Sequence, residues 1–175
     1  MLPKTSIILC TYNEANYIED AIAKLEKNIP NLEIVIVDDS STDGTVDIIK
    51  KLNQDNKYKV IYRKKSRSLA SAFVRGVIET TGENIGWIDT NMGEVSSKFP
   101  EMIKELESNN DIIILSRYVE GGGDSRILLR SLSSKYFNFL CRIILRTPIK
   151  DFTSSIFLMK REILDEVTFV GYGHG

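Results

Sequence analysis

The sequence predicts an α/β fold, with a mostly parallel central sheet flanked by helices on both faces. Short apolar runs at 6–10, 33–37, 58–62, 84–88 and 111–115 alternate with longer stretches at 15–28, 43–53, 68–81 and 98–108, whose apolar residues recur at helical spacing. Two runs, Ile34-Val35-Ile36-Val37 and Ile112-Ile113-Ile114-Leu115, are apolar without a break, as strands covered on both faces must be. A helix between successive strands lets neighbours run parallel, and sheets built this way carry helices on their faces.

Taken in order, 6–10 reads as the first strand and 15–28 as the first helix. The helix at 43–53 follows strand 33–37. It has a Ser-Ser-Thr lead-in suited to capping, and Asp43 and Asp47 fall in its first turn, where carboxylates complement unpaired N–H groups. Strands 58–62, 84–88 and 111–115 alternate with helices 68–81 and 98–108. After Leu115 the alternation breaks at Glu120-Gly121-Gly122-Gly123-Asp124, whose glycines permit backbone shapes closed to other residues. A helix at 130–145 carries Leu132, Tyr136, Phe139, Leu140 and Ile143 along one side, and a short strand follows at 155–159. With no repeat, low-complexity segment or linker, 1–175 reads as a single domain.

At 175 residues the chain is long enough to bury a core, and 42% hydrophobic with 27% charged residues is ordinary for a globular protein. A net charge of -1 argues against a general nucleic-acid binder. The charge is unevenly spread: residues 126–161 hold eight basic side chains and one acid, Asp151, so this span carries +7 and the remainder -8. A basic C-terminal third suits an anionic substrate or an anionic membrane surface, although a solvated helix face accounts for it as well. Cys10 and Cys141 form neither a metal-ligand spacing nor a disulfide framework, which fits a reducing compartment. Met1 leads directly toward a strand-like run, so no signal peptide is expected, and no apolar stretch reaches the roughly 20 residues of a spanning helix. The ending Gly171-Tyr172-Gly173-His174-Gly175 reads as an interruption, and the natural chain is expected to continue past it.

Ligands of open α/β sheets sit at the carboxyl ends of the strands. The residues there are strongly polar: Thr11-Tyr12-Asn13-Glu14, Asp38-Asp39-Ser40-Ser41-Thr42-Asp43-Gly44-Thr45, Asp89-Thr90-Asn91 and Ser116-Arg117-Tyr118. Carboxylates gathered at one sheet edge repel, so their gathering points to a bound cation or to hydroxyl groups. Several chemistries are excluded. There is no Walker motif, no Gly-x-Gly-x-x-Gly after the first strand, and a single histidine, His174, leaves no base for Ser-His-Asp catalysis. Asp89-Thr90-Asn91 is a near version of Asp-x-Asp. Two oxygen ligands one residue apart after a buried strand suit Mg2+ or Mn2+ that keeps positions open for diphosphate oxygens.

In this order, Thr-Tyr-Asn-Glu, Val-Asp-Asp-Ser-Ser-Thr-Asp-Gly-Thr, Asp-Thr-Asn and Ser-Arg-Tyr-x-x-Gly-Gly resemble the inverting family 2 glycosyltransferases of GT-A fold, most of all the dolichyl- or polyprenyl-phosphate mannosyl- and glucosyltransferases. The resemblance runs from Ser6 to about Leu164. It implies a nucleotide-binding part to about residue 95 and an acceptor-side part from 96 to 175. Tyr12 and Glu14 would line the nucleoside pocket, and Asp39 would hydrogen-bond base or ribose. Asp89, Thr90 and Asn91 match the diphosphate-binding motif, with Asp89 and Asn91 as the metal ligands. Arg117 matches an arginine that contacts acceptor phosphate. Arg130, Ser134 and Asn138 match a spaced Arg-x-x-x-Ser-x-x-x-Asn on one helical face, where Arg130 and Ser134 clamp a phosphate. Asp151-Phe152-Thr153-Ser154 resembles a turn near the reacting centre, where Asp151 orients acceptor or sugar, or serves as base for a hydroxyl acceptor.

The function so implied is inverting transfer of a hexose from a GDP-mannose or UDP-glucose type donor to a polyprenyl or dolichyl phosphate. It would occur with Mg2+ or Mn2+, in peripheral contact with a membrane at its cytoplasmic face, and without nucleic acid. A phosphate nucleophile is already largely anionic near neutral pH and needs little base assistance, so the demanding part is charge on the leaving nucleoside diphosphate. Two other readings stand beside it: transfer to a sugar or polysaccharide hydroxyl, and a nucleotide-sugar-binding module without catalysis. The sequence departs from the family pattern at Cys10 (usually Pro), at Asn91 (usually a second Asp, with Glu94 three residues on), at Met92-Gly93-Glu94-Val95, and at Ser155-Ile156 (usually Gly-Phe); the usual Trp of the arginine helix is also absent.

Overall fold

The computed structural model describes residues 3–64, 68–119 and 128–166, apart from the side chains of 128–130 and 165. Its strands are β1 (Thr5–Thr11), β2 (Leu32–Asp38), β3 (Lys59–Tyr62), β4 (Asn84–Trp87), β5 (Ile112–Ile114) and β6 (Phe157–Lys160). They form one sheet in the order β3-β2-β1-β4-β6-β5. The pairs β1–β2, β1–β4 and β2–β3 are parallel. β6 runs against β5, since Lys160 N–H donates to the Asp111 carbonyl while Leu115 N–H donates to that of Ile156. Among the described residues five α-helices accompany the sheet: α1 (Ile18–Asn28), α2 (Thr45–Leu52), α3 (Leu69–Glu79), α4 (Phe99–Glu107) and α5 (Leu128–Leu145).

Each predicted element is present, and strand limits shift by no more than two residues. The helix expected at 43–53 begins only at Thr45. Asp43 lies outside its first turn, and Gly44, at φ 99°, stands before it in a conformation that a side chain would strain. The largest departure lies after β4, where Thr90–Lys98 forms a 3-10 helical stretch that leads into α4. Gly93 allows this stretch to press on α1, because a Cβ there would lie 3.1 Å from the Ala21 Cα. Lys24 of α1 pairs with Asp20 and Glu94, each at 2.5 Å. Glu94 therefore serves the α1 contact; it does not join Asp89.

Ile7, Ile8 and Leu9 of β1 and Val35, Ile36 and Val37 of β2 are fully buried, as their unbroken apolar runs require. Helix α1 contributes Ile18, Ala21, Ile22 and Leu25, and α4 contributes Phe99, Met102, Ile103 and Leu106, both at the spacing of one helical face. α3 lies close on the sheet through Gly76, where a Cβ would meet the Ile8 Cγ2 at 2.6 Å and the Val37 Cγ2 at 3.3 Å. Gly76→Ala is expected to lower unfolding stability by about 1–3 kcal/mol despite its better helix propensity, because the core must shift to admit the methyl group. Denaturant unfolding of the two proteins measures this directly.

The chain divides into two compact units. One comprises the residues up to Ile113 together with those from Leu158 onward; the other is Ile114–Phe157.

Candidate functional site

In the first unit, the carboxyl ends of β1, β2 and β4 surround a cavity of about 400 Å³ lined by Cys10, Thr11, Tyr12, Glu14, Asp39, Ser68, Leu69, Ala72, Asp89, Thr90 and Asn91. That volume suits a small-molecule ligand. All six residues assigned to the nucleotide end (Tyr12, Glu14, Asp39, Asp89, Thr90 and Asn91) line it.

Side-chain hydrogen bonds hold the rim. Asn13, at φ 59°, accepts the Thr42 N–H at 2.9 Å on Oδ1, and its own N–H donates to Ser41 Oγ at 2.9 Å. Asp43 accepts the Ala15 N–H at 3.0 Å, and the Thr45 N–H and hydroxyl at 3.1 and 2.5 Å. Thr45 Oγ1 in turn accepts the Glu14 N–H at 2.8 Å. These bonds, the Thr45 hydroxyl foremost, lower the pKa of Asp43. Asp38 is fully buried and accepts Thr11 Oγ1 at 2.9 Å and Ser41 Oγ at 2.5 Å. Most of the Asp-Asp-Ser-Ser-Thr-Asp-Gly-Thr segment thus fixes two loops against each other and leaves Asp39 facing the cavity.

Asp39 does not stand alone. It is buried, and Arg63 grips it with two parallel bonds, Nε to Oδ1 and Nη2 to Oδ2, both at 2.5 Å. Sequence reasoning weighs the ends of the first, second, fourth and fifth strands and misses this residue, which follows β3. The signal is there: a basic residue just past an apolar run, on the sheet edge that holds the acids. Cys10 lies between the charges. Burial, reinforced by Asp39 and Asp89 and opposed by Arg63, pushes its thiol up to about 12, so it stays protonated.

Asp89 is half-buried at the cavity wall, and among the described residues no hydrogen bond or ion pair engages its carboxylate. Asn91, two residues on, is exposed. A carboxylate and an amide oxygen with free lone pairs fit a hard divalent cation. Among the described residues no group of three acidic, histidine or cysteine side chains is placed to hold a metal. Such an ion would therefore have to complete its coordination with ligand oxygens and water, which is the usual manner of Mg2+ with phosphates.

The second unit holds a polar network. Arg117 donates from Nε to Asp151 Oδ2 at 2.8 Å and from Nη2 to Asp151 Oδ1 at 2.9 Å, with a further bond to Thr153 Oγ1 at 2.6 Å. Asp151 is 1% exposed. Burial alone would raise its pKa, but the Arg117 side chain and backbone N–H and the Thr153 hydroxyl outweigh that and hold it at about 2. Thr153 gives its one hydroxyl proton to Asp151 at 2.9 Å, so Ser134 donates to Thr153 at 2.8 Å, and Tyr118 Oη donates to Ser134 at 2.9 Å. Asn138 holds the turn from the other side, accepting the Phe152 N–H at 2.6 Å. Ser134, expected to clamp a phosphate, is buried, and its hydroxyl bonds Tyr118 and Thr153. Arg130 lies in α5, and its side chain falls outside the described residues.

α5 has an inverted pattern. Its buried positions are the polar Ser131, Ser134 and Asn138, while Leu132, Tyr136, Phe137, Phe139, Ile143, Ile144 and Leu145 are at least half exposed. No described helix is long and apolar enough to cross a membrane.

The sequence profile described as Glycosyl transferase family 2 matches residues 6–168, almost the whole chain. The chain belongs to glycosyl transferase family 2. It is 34% identical over 169 residues to a dolichol-phosphate mannosyltransferase of Pyrococcus furiosus, a match covering 94% of this chain and 48% of that protein. Over 172 residues it is 26% identical to a polyprenol monophosphomannose synthase of Mycolicibacterium smegmatis, covering 94% of this chain and 64% of that one. The chain thus spans between about half and two thirds of these relatives. Among solved structures, a mannosyltransferase from Pyrobaculum calidifontis in complex with GDP-Man and Mn2+ superposes with a TM-score of 0.63 at 21% identity, covering 95% of this chain and 47% of that one. Glucosyl-3-phosphoglycerate synthase from Mycobacterium tuberculosis in complex with UDP gives 0.68 at 17% identity, covering 93% and 58%. The fold of this family 2 member is GT-A.

Proposed function

We propose that the chain is the catalytic domain of an inverting, divalent-metal-dependent glycosyltransferase that moves mannose from GDP-mannose to a polyprenyl or dolichyl phosphate. The observation that carries this reading is the cavity, which gathers Tyr12, Glu14 and Asp39 with an unengaged Asp89 and the adjacent Asn91. The relatives add the sugar and the acceptor: one is named for dolichol phosphate and mannose, the other for polyprenol monophosphomannose, and a neighbour of the same fold was solved with GDP-Man and Mn2+.

In this reading Tyr12, Glu14 and Asp39 hold the nucleoside, while Asp89 and Asn91 hold Mg2+ or Mn2+. Bound there, such an ion would supply positive charge against the leaving diphosphate. Arg117 binds the acceptor phosphate, with Arg130 beside it in that role. Asp151 orients Arg117. A carboxyl held at about 2 is a weak base, and a phosphate acceptor, largely dianionic near neutral pH, requires none. A single displacement at the anomeric carbon inverts it.

The exposed apolar side of α5, flanked by Lys135 and Arg142, supports peripheral contact with an anionic membrane, where a lipid phosphate would be met. The free Cys10 and Cys141 support its cytoplasmic face. Flotation with anionic vesicles at low salt is expected to carry the protein upward, and Ile144→Glu to leave most of it below; equal flotation of both would remove α5 from the account. The acceptor is tested by offering polyprenyl phosphate and the matching polyprenol with labelled GDP-mannose. Label is expected in lipid only with the phosphate, whereas transfer to the alcohol or to a free sugar hydroxyl would contradict the reading.

A further inference from the structure

Asp39 is the buried carboxylate of the cavity wall, and what it recognises depends on how it is held. The β2–β3 register pairs Asp38 with Tyr62, so the next residues, Asp39 and Arg63, come face to face. Arg63 is fixed on every side. Its N–H donates to the Asp38 carbonyl at 2.8 Å, its carbonyl accepts Ser40 Oγ at 2.6 Å, Nη1 donates to Ser71 Oγ at 2.8 Å, and Nη2 donates also to the Ser68 carbonyl at 3.1 Å. The side chains of Arg63 and Asp39 are 11% and 9% exposed, and Arg63 does not line the cavity. It is therefore built to hold Asp39 and not to touch a ligand.

We infer that Arg63 is a positioning residue that makes the cavity select nucleobases with a ring N–H, guanine or uracil, over adenine and cytosine. This inference rests on the donor-site reading above. A charged carboxylate only accepts hydrogen bonds. Guanine and uracil present a ring N–H at the edge where adenine and cytosine present a bare ring nitrogen, which repels a carboxylate oxygen. A carboxylate free to turn would meet a mismatched base at its exocyclic amino group instead, and the discrimination at the ring nitrogen would be lost. Arg63 sets its guanidinium against Asp39, and the planar two-bond grip fixes the direction of the carboxylate. Lysine carries the charge but lacks the fork.

The test is an affinity ratio, GDP against ADP and UDP against CDP, titrated with Mn2+ into the full chain and its variants. In the wild type the preferred member of one pair is expected to bind at least about thirty-fold tighter than its partner, as a buried acceptor left facing an acceptor requires. Arg63→Gln should reduce that ratio at least tenfold, and Arg63→Lys should give an intermediate value. If Arg63 only supports the fold, both members weaken by one common factor and the ratio holds, which overturns the inference. Should Arg63→Gln fail to fold, the Arg63→Lys ratio decides: a shift of threefold or more supports the inference and an unchanged ratio refutes it. A wild type that binds a pair equally overturns this inference alone, whereas one that binds no nucleotide overturns the donor-site reading with it.

Discussion

Asp89→Ala is expected to lower the rate of the proposed mannosyl transfer by about a hundredfold or more while leaving the fold intact. Asp89 sits at the wall of the cavity, and among the described residues its carboxylate makes no hydrogen bond or ion pair, so removing that group strands no described partner. In the proposed function its contribution is to charge stabilisation in the transition state, which is worth several kcal/mol where a cation meets a leaving diphosphate. Thermal unfolding should barely change. The neighbouring position gives the opposite sign: Asn91→Asp restores a second carboxylate at an exposed site and should tighten Mn2+ binding severalfold, read as a lower Mn2+ concentration for half-maximal transfer. Unaltered transfer in Asp89→Ala would remove that carboxylate from the chemistry.

Asp151→Asn is the second large effect, and it strikes stability and turnover together. Asp151 accepts from the Arg117 side chain and backbone and from Thr153, at 1% exposure. The amide cannot accept on both sides, so Arg117 loses its counter-charge. Removing one partner of a buried pair costs about 3–5 kcal/mol, and the lower half of that range is expected because Arg117 keeps 21% of its surface in water. Arg117 also loses its orientation, so transfer should fall sharply, with the acceptor KM rising. The pH dependence has a definite sign. The folded pKa, about 2, lies below the unfolded value of 3.8, so the pair stabilises the fold above pH 4 and that contribution fades as pH falls toward 2. The stability gap between wild type and Asp151→Asn should therefore narrow across that window. A gap constant from pH 6 to pH 2 would contradict the pairing.

Much of the fold and of the cavity is legible in the sequence, for physical reasons. Unbroken apolar runs such as Ile34–Val37 have one explanation in an alternating chain, and the polar residues after them fall at the ligand edge by topology. The six residues that the family resemblance assigns to the nucleotide end all follow such strands and line the cavity. Side-chain partnership is harder to see. Nothing local says that the proton of Thr153 goes to Asp151, so the bonds of the Ser134 hydroxyl to Tyr118 and Thr153 are hidden in the sequence. The 3-10 stretch after β4 is concealed because Gly93, which reads as a loop residue, is there for close approach to α1. Arg63 escapes notice because β3 is short and half-exposed, and its end draws less attention than the acidic ones. The inverted α5 is half visible: its apolar side is plain, but the polar residues on its buried side are explained only by the network they serve.

The central claim is that the cavity binds a nucleoside diphosphate together with a divalent cation at Asp89. Calorimetric titration of GDP and UDP, each with and without Mn2+, tests it most directly. One nucleotide is expected to bind, Mn2+ to tighten its binding at least tenfold, and Asp89→Ala to abolish the metal's contribution. Equal binding with and without Mn2+, or no heat from either nucleotide under either condition, would contradict it.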